Sequence, residues 1–326
     1  MHLIRRFTAR IAAGYRKMSI QMVISLSFTA VAVAGILLMG LSLFLRFSST
    51  SQQMAAESSQ RVLAQVNLNL DSYLRRMMRI SDAVYYSIIK NVDLSEGSLA
   101  PAMNLLYEEN RDDLVSIAAF DSRGNLVASV PLSSLKEDSR TKGNPWFQAA
   151  MGNMENLHFS TPHVQNLFDD PDTPYRWVVS LSRHVQLTKD GNTENGVLLV
   201  DMSFAGIEQV CQDVELSGGG YLYVIDGDGE LIYHPGQQLI YAGLLEENNL
   251  AAASYPDGSR TEEFQNQRRQ VTVKTVGYTG WKLVGVVPTQ DSDIPELFLF
   301  GLSLLLFFIF LMAFLNFRIS AYISDP

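Results

Sequence analysis

The sequence predicts an α+β protein: two tandem modules with antiparallel sheets behind one long N-terminal helix, flanked by two transmembrane helices. Three observations carry this. Two strand–turn–strand segments repeat at a fixed offset of 105 residues. A heptad seam runs through a stretch free of Gly and Pro ahead of them, and the apolar excess of a chain with mean hydropathy +0.06 sits at its two ends.

The ends set the topology. Met22 to Leu45 is an apolar run without a charge, and Ile294 to Phe317 is another with only Glu296 near its start. Each is long enough to cross a bilayer as a helix, and the first is longer than the apolar part of a cleaved signal peptide. Arg5, Arg6, Arg10, Arg16 and Lys17 precede the first run and Arg318 follows the second. Basic flanks stay on the cytoplasmic side, so both termini are expected inside a plasma membrane and the middle outside, with the lipid bilayer as one partner. The outer segment, 47–293, carries 18 basic against 32 acidic residues, a net charge of −14. That excludes nucleic acid as an expected partner. Cys211 is the only cysteine, so no intramolecular disulfide supports the fold.

From Ser51 to Ile89, Leu63, Val66, Leu70, Tyr73, Met77, Ile80 and Val84 recur at alternating spacings of three and four. This is one long helix continuing from the first span, with Arg75, Arg76 and Arg79 off the seam. The seam packs either on its own domain or on a twin helix, and a homodimer is among the expected partners. A shorter helix is expected at Ala100 to Asn110, with Pro101 in its first turn where a missing N–H costs nothing.

SIAAFDSRGNLVAS, from Ser116, then lines up with YLYVIDGDGELIYH, from Tyr221: Asp121 with Asp226, Gly124 with Gly229, Leu126 with Leu231. Each is a hairpin whose turn needs the positive φ that Gly supplies. Each repeat is closed by a late apolar strand, Gly196 to Met202 in the first and Trp281 to Val287 in the second, the latter partnered by Arg269 to Val276. A duplicated domain follows. The expected divisions are a basic N-terminus at 1–21, a span at 22–46, the leading helices at 47–115, a membrane-distal module at 116–213, a membrane-proximal module at 214–291, a second span at 292–317 and a linker from 318.

Between the repeats, Tyr175 to Leu187 and Gly196 to Met202 form a hairpin about a polar turn, Thr188 to Asn195. Along the first strand Trp177, Val179, Leu181 and Arg183 share one face, and Arg176, Val178, Ser180, Ser182 and His184 the other. Trp177, Arg183 and Asp201 stand out among aliphatics. Arg183 and Asp201 either pair with each other or with loop backbone, or join aromatic walls around a small ligand. Pro145 starts a helix bearing Trp146 and Phe147, and the acidic loop Asp169 to Pro174 lies beside this pocket.

Nothing in the chain predicts an enzyme. There is no GxSxG, Walker or dinucleotide motif, and Ser180, Ser182 and His184 on one strand face lack a third orienting group. No cofactor and no metal are expected: Asp226, Asp228 and Glu230 fall short of an EF-hand, and the histidines show no ligand spacing.

PWFQAA at 145–150, HVQNLF at 163–168, YRWVVSLSR at 175–183, GVLLVDMSF at 196–204 and GYLYVIDGDGELIYHP at 220–235 resemble the double Cache sensor region of bacterial membrane histidine kinases. The resemblance implies two PAS-like (Cache) modules and a small extracellular solute held in the distal one. It also implies a two-component kinase output beyond a HAMP-like linker beginning near RISAYISDP. Chemoreceptor or cyclase output, and a stand-alone binding or scaffold protein, are the alternatives. By motif, Trp146 and Phe147 are the aromatic pair and Asp201 the acid. An Arg that amino-acid-binding members carry two residues before the Trp is Asn144 here, leaving Arg140, Arg176 or Arg183 as the cation, and Tyr175 and Trp177 as further walls.

Overall fold

The heptad seam determines what packs where. In the computed structural model the helix α1 runs Ile20–Asp82 and ends in a π-helical turn, Ala83–Ile88. All seven seam residues, from Leu63 to Val84, are buried within the single chain, in one core with residues of both sheets. The seam's partner is therefore its own domain, and no twin helix is needed to cover it. The structure describes residues 20–131, 134–136, 139–153, 157–169, 175–288 and 293–324, without the side chains of 20–27, 43–45, 47–49, 51–52, 293–298, 313 and 316–324. The basic N-terminus, most of the acidic loop (170–174) and the side chains of the linker lie outside this description.

Met1–Met54 with Gln290–Pro326 form one unit and Ala55–Thr289 another. In the first, Thr29 and Ile36 of α1 and Leu305 and Met312 of the last helix, Asp293–Ser324, line an apolar cavity of about 210 Å³. Phe28, Leu38, Phe300, Phe307 and Phe310 are exposed on it. Among the described residues no helix is long and apolar enough to cross a membrane; the expected spans 22–45 and 294–317 each include residues whose side chains lie outside this description.

The second unit holds two antiparallel sheets. After α2 (Ala100–Asn110) come β1 (Leu114–Asp121), β2 (Leu126–Val130), α3 (Pro145–Gly152), β3 (His158–Phe159), β4 (His163–Val164), β5 (Trp177–Lys189) and β6 (Asn192–Ser203). They pair in the order β2-β1-β6-β5-β3, with β4 also on β5. Helix α4 (Ala205–Gln212) leads to β7 (Tyr221–Ile225), β8 (Leu231–Tyr233), α5 (Gln237–Tyr241), α6 (Asn249–Ala253), β9 (Gly258–Phe264), β10 (Gln267–Thr275) and β11 (Lys282–Pro288), ordered β8-β7-β11-β10-β9. The α+β class and the antiparallel sheets behind a long helix are as the sequence predicts.

The repeat extends to backbone detail. Gly124 and Gly229 hold φ of 87° and 88°, and the ladder slips at Ala119/Phe120 in β1 and at Val224/Ile225 in β7, again 105 residues apart. Asp121 accepts the N–H groups of Arg123 and Asn125, as Asp226 accepts those of Asp228 and Glu230. Both late strands, β6 and β11, lie at the centre of their sheets.

One hairpin differs from the expectation. The β5–β6 turn is two residues, Asp190 and Gly191, both at positive φ, and the strands run on to Lys189 and from Asn192. Asp-Gly favours this tight turn over a long polar loop. Asp93 fixes it by accepting the N–H groups of Asp190 and Gly191.

Candidate ligand-binding site

Strand period and register divide the distal sheet into two faces. Val179, Leu181 and Val185 of β5 and Leu198, Val200 and Met202 of β6 turn toward the seam of α1. Ser180 and Ser182, and Asp201 opposite Ser180, turn the other way. On that second face α3 packs through Phe147, buried against Phe120 and Leu199. Ser182 donates its hydroxyl hydrogen to the Trp146 carbonyl at 2.9 Å, anchoring the helix start. The Trp146 ring lies against Phe120, centroids 5.4 Å apart.

Beyond Trp146 opens a cavity of about 560 Å³. Trp146, His158, His163 and Ser182 contribute from the distal module, and Tyr278 and Trp281 from the turn between β10 and β11. No Asp, Glu, Lys or Arg is among the described residues lining it. His158 Nε2 is buried at this site with no hydrogen-bond partner among the described residues. A buried ring nitrogen without a partner is costly.

His163 connects the cavity to Asp201. Its Nδ1 lies 2.9 Å from the Thr161 carbonyl, which only accepts, so Nδ1 carries hydrogen; its Nε2 lies 3.3 Å from Ser180 Oγ. Ser180 and Ser116 donate to the two Asp201 oxygens. Asp201 is 2% exposed. Burial pushes its pKa above the usual carboxylate range, against the pull of both hydroxyls and of His163. The order Asp–Ser–His puts the serine in the middle, where its hydrogen is committed to the carboxylate. A nucleophilic serine needs the histidine in that place.

The residues singled out in the sequence separate. Trp146 lines the cavity, and Asp201 stands behind it, one hydroxyl away from His163. Phe147 is core. Tyr175 is 79% exposed, and Trp177 is 43% exposed beside Phe204, ring centroids 6.5 Å apart. Arg140 lines a separate depression with Arg123 and Leu126. Arg183 does not pair with Asp201: it sits on the opposite face, 2.6 Å from Asp82 and stacked 4.8 Å from the centre of the Tyr85 ring. Ser180 to Arg183 is a step of three, odd along a strand, so the two positions cannot share a face. His158, His163, Tyr278 and Trp281 were not among the expected site residues. The first two had a signal, histidines flanking Pro162 ahead of a strand; the other two come from the second repeat and enter only through tertiary packing.

One family profile, described as a Cache domain, matches residues 47–293. Among curated proteins, the chain is 21% identical over 237 residues to the methyl-accepting chemotaxis protein McpC of Bacillus subtilis, covering 72% of this chain and 33% of that one. It is 19% identical over 269 residues to the methyl-accepting chemotaxis protein PscA of Pseudomonas syringae, covering 80% and 40%. The chain thus spans about a third to two fifths of the length of these relatives. Among solved structures, it is similar to the ligand-binding domain of the Pseudomonas aeruginosa chemoreceptor PctB in complex with L-Arg (TM-score 0.55, 15% identity, 73% of this chain and 89% of that one). It is also similar to that of PctC in complex with GABA (TM-score 0.53, 16% identity, 73% and 99%).

Proposed function

The chain belongs to the Cache domain family, and from that premise we propose that it is the extracellular small-molecule-sensing region of a membrane receptor of the chemoreceptor kind. The observation that carries this is the aromatic cavity over the distal sheet, with the Nε2 of His158, which has no partner among the described residues, at its wall. The output class rests on the relatives, which are chemotaxis proteins; they favour that reading over the histidine-kinase output that the motifs alone imply. Two apolar segments with basic flanks, and the exposed Phe and Leu side chains of the first unit, support a bilayer around the ends with both termini inside. We read the chain as a binding module; Ser180 supplies no nucleophile, its hydrogen being spent on Asp201. Any homodimer uses a surface other than the heptad seam.

Trp146 is the aromatic wall and His158 the polar contact, with Asp201 behind them, hydrogen-bonded by Ser180 and Ser116. L-Arg and GABA, named with the similar domains, put amino acids and amines first among the solutes to try.

A thermal-shift screen of the full chain in detergent against amino acids, GABA, amines, carboxylates and sugars tests this. A solute at about 100 times its dissociation constant adds about 2.7 kcal/mol of stability. Loss of that shift in Trp146→Ala and His158→Ala, both still folded, is the expected result. A solute that stabilises parent and both variants equally binds elsewhere and overturns the site.

A further inference from the structure

The cavity is not a property of the distal module alone. The β10–β11 turn, Val276 to Trp281, reaches across from the proximal sheet and supplies Tyr278, Thr279 and Trp281 to its wall. Two kinds of contact hold it there. The Leu157 N–H donates to Tyr278 Oη at 3.3 Å, and the Phe159 ring stands edge-on to Tyr278 and Trp281, centroids 6.3 and 6.4 Å away.

The turn is stiff at its base. Val276 N–H donates to the Trp281 carbonyl at 2.7 Å, and Gly280 N–H to the Val276 carbonyl at 3.1 Å, with Gly280 at φ 70°. Behind it lies the long helix: a Cβ on Gly277 would fall 2.5 Å from Asp71 Oδ1 of α1. Within this framework the Tyr278 side chain is half exposed, at 53%, whereas Trp281 is 4% exposed beneath it.

We propose that Tyr278 is a ligand-contact residue contributed by the second module, so that an occupant of the distal cavity is gripped between Trp146 and the β10–β11 turn. This rests on the cavity being the ligand site. The physical reason for such an arrangement is population shift. A ligand biases a two-state receptor only by binding one arrangement better than the other, and a solute touching the distal module alone is indifferent to where the proximal module sits. A solute touching both favours the arrangement with the turn in place. From that turn β11 runs through the centre of the proximal sheet to Pro288, and in sequence the chain continues to the C-terminal helix. The solute class is set by walls from two modules: a compact molecule with an apolar or flat body for the four aromatic rings and one polar atom for His158.

The chain has three tryptophans, two of them in this cavity, one from each module. Trp177→Phe combined with Trp281→Phe leaves Trp146 as the only reporter; Trp177→Phe combined with Trp146→Phe leaves Trp281. Acrylamide quenching of both reporters, in the full chain in detergent, is measured with and without Tyr278→Ala. A single cooperative melt verifies that the variant, which loses the Leu157 and Phe159 contacts of this half-exposed side chain, is still folded. The expected result is that Tyr278→Ala roughly doubles the quenching constant of both reporters. Quenching of both unchanged by Tyr278→Ala overturns the proposal without any ligand being known. Where GABA or L-arginine binds, it is expected to shift the emission of both reporters. A shift of Trp146 alone confines the site to the distal module and overturns the proposal while leaving the sensing function intact. Binding that survives Trp146→Ala removes the sensing site itself.

Discussion

The two sheets carry the same hairpin on the same helix and differ on the face turned away from it. Where the distal repeat has Ser116 and Ala118, the proximal repeat, 105 residues on, has Tyr221 and Tyr223. Opposite Ser116 lies Asp201; opposite Tyr221 lies Val286. Small residues leave room on the distal face, and two tyrosines fill the proximal one. Their hydroxyls then need partners in the interior. Tyr221 Oη donates to Glu247, whereas Tyr223 Oη is buried with no partner among the described residues, and Arg269 bridges Glu247 and Glu262, each at 2.6 Å, under the ring of Phe264. His234 Nε2 lies 3.6 Å from the same Glu247. One copy of the repeated module has an open space on this face, and the other is filled by tyrosines and an ion-pair cluster.

The largest expected effect breaks that closure. Arg269→Met leaves two buried carboxylates facing each other without a cation, a loss of about 3–5 kcal/mol. Urea denaturation of the full chain measures it. A loss below about 1 kcal/mol means that the tyrosines and aliphatics hold the proximal face and the charges are incidental. Trp146→Ala on the distal face removes a half-buried wall of an existing cavity, so its cost is expected to be clearly smaller than that of Arg269→Met.

The shared face gives the next effect. Gly285 of β11 lies under Leu63 of α1, and a Cβ there would meet Leu63 Cδ1 at 2.7 Å. Gly285→Ala is expected to cost about 1–3 kcal/mol by overpacking. Gly152→Ala, at the end of α3 with nothing within 4 Å, is expected to change stability little. Equal effects at the two positions would show that α1 has slack against the proximal sheet, and that the heptad seam is not the rigid common support of both modules.

The two buried acids are expected to respond to pH with opposite signs. Burial acts to raise Glu247, but His234, Tyr221, the Asn248 N–H and Arg269 together bring it down to about 2 from 4.5. Its contribution is present above pH 4.5 and is lost as pH falls from there toward 2. Asp201 is raised from 3.8 by burial. Its contribution is fully present below 3.8 and fades as pH rises through its folded value. Melting temperature against pH should therefore lose part of its acid limb in Glu247→Gln. Asp201→Asn, which fixes the neutral form, should gain on the parent as pH rises. The same sign for both variants would place Asp201 as a charged partner of His163 and not as a desolvated acid.

Much of this frame was legible in the sequence. The alternation of three and four from Leu63 to Val84 identified the buried stripe of α1, because a helix repeats its face at that period whatever covers it. The repeat located both hairpins through Gly124 and Gly229, where the turn demands positive φ. The site was legible only in part. Trp146 follows from Pro145 opening a helix, but which strand face carries the cavity depends on register across β5 and β6, and Arg183 lay on the other side. Tyr278 and Trp281 were out of reach because no local pattern tells a hairpin turn that it will touch a sheet more than a hundred residues earlier. The comparison of Ser116 with Tyr221 was available from the repeat itself and indicates which copy is hollow.

The smallest effect tests that division of faces. Arg183 has its guanidinium on Asp82 and over Tyr85, and Asp82 is largely exposed. An ion pair with one solvated partner contributes about 0.2–1 kcal/mol, so Arg183→Ala should lower stability by no more than that. Because Arg183 points toward α1 and the cavity opens on the opposite side of β5, any solute that stabilises the parent should stabilise Arg183→Ala to the same extent. His158→Ala, on the cavity side of the neighbouring strand, should lose the response at little cost in stability. If Arg183→Ala loses the response instead, the solute lies between the sheet and the long helix, and the open face of the distal module is not its binding site.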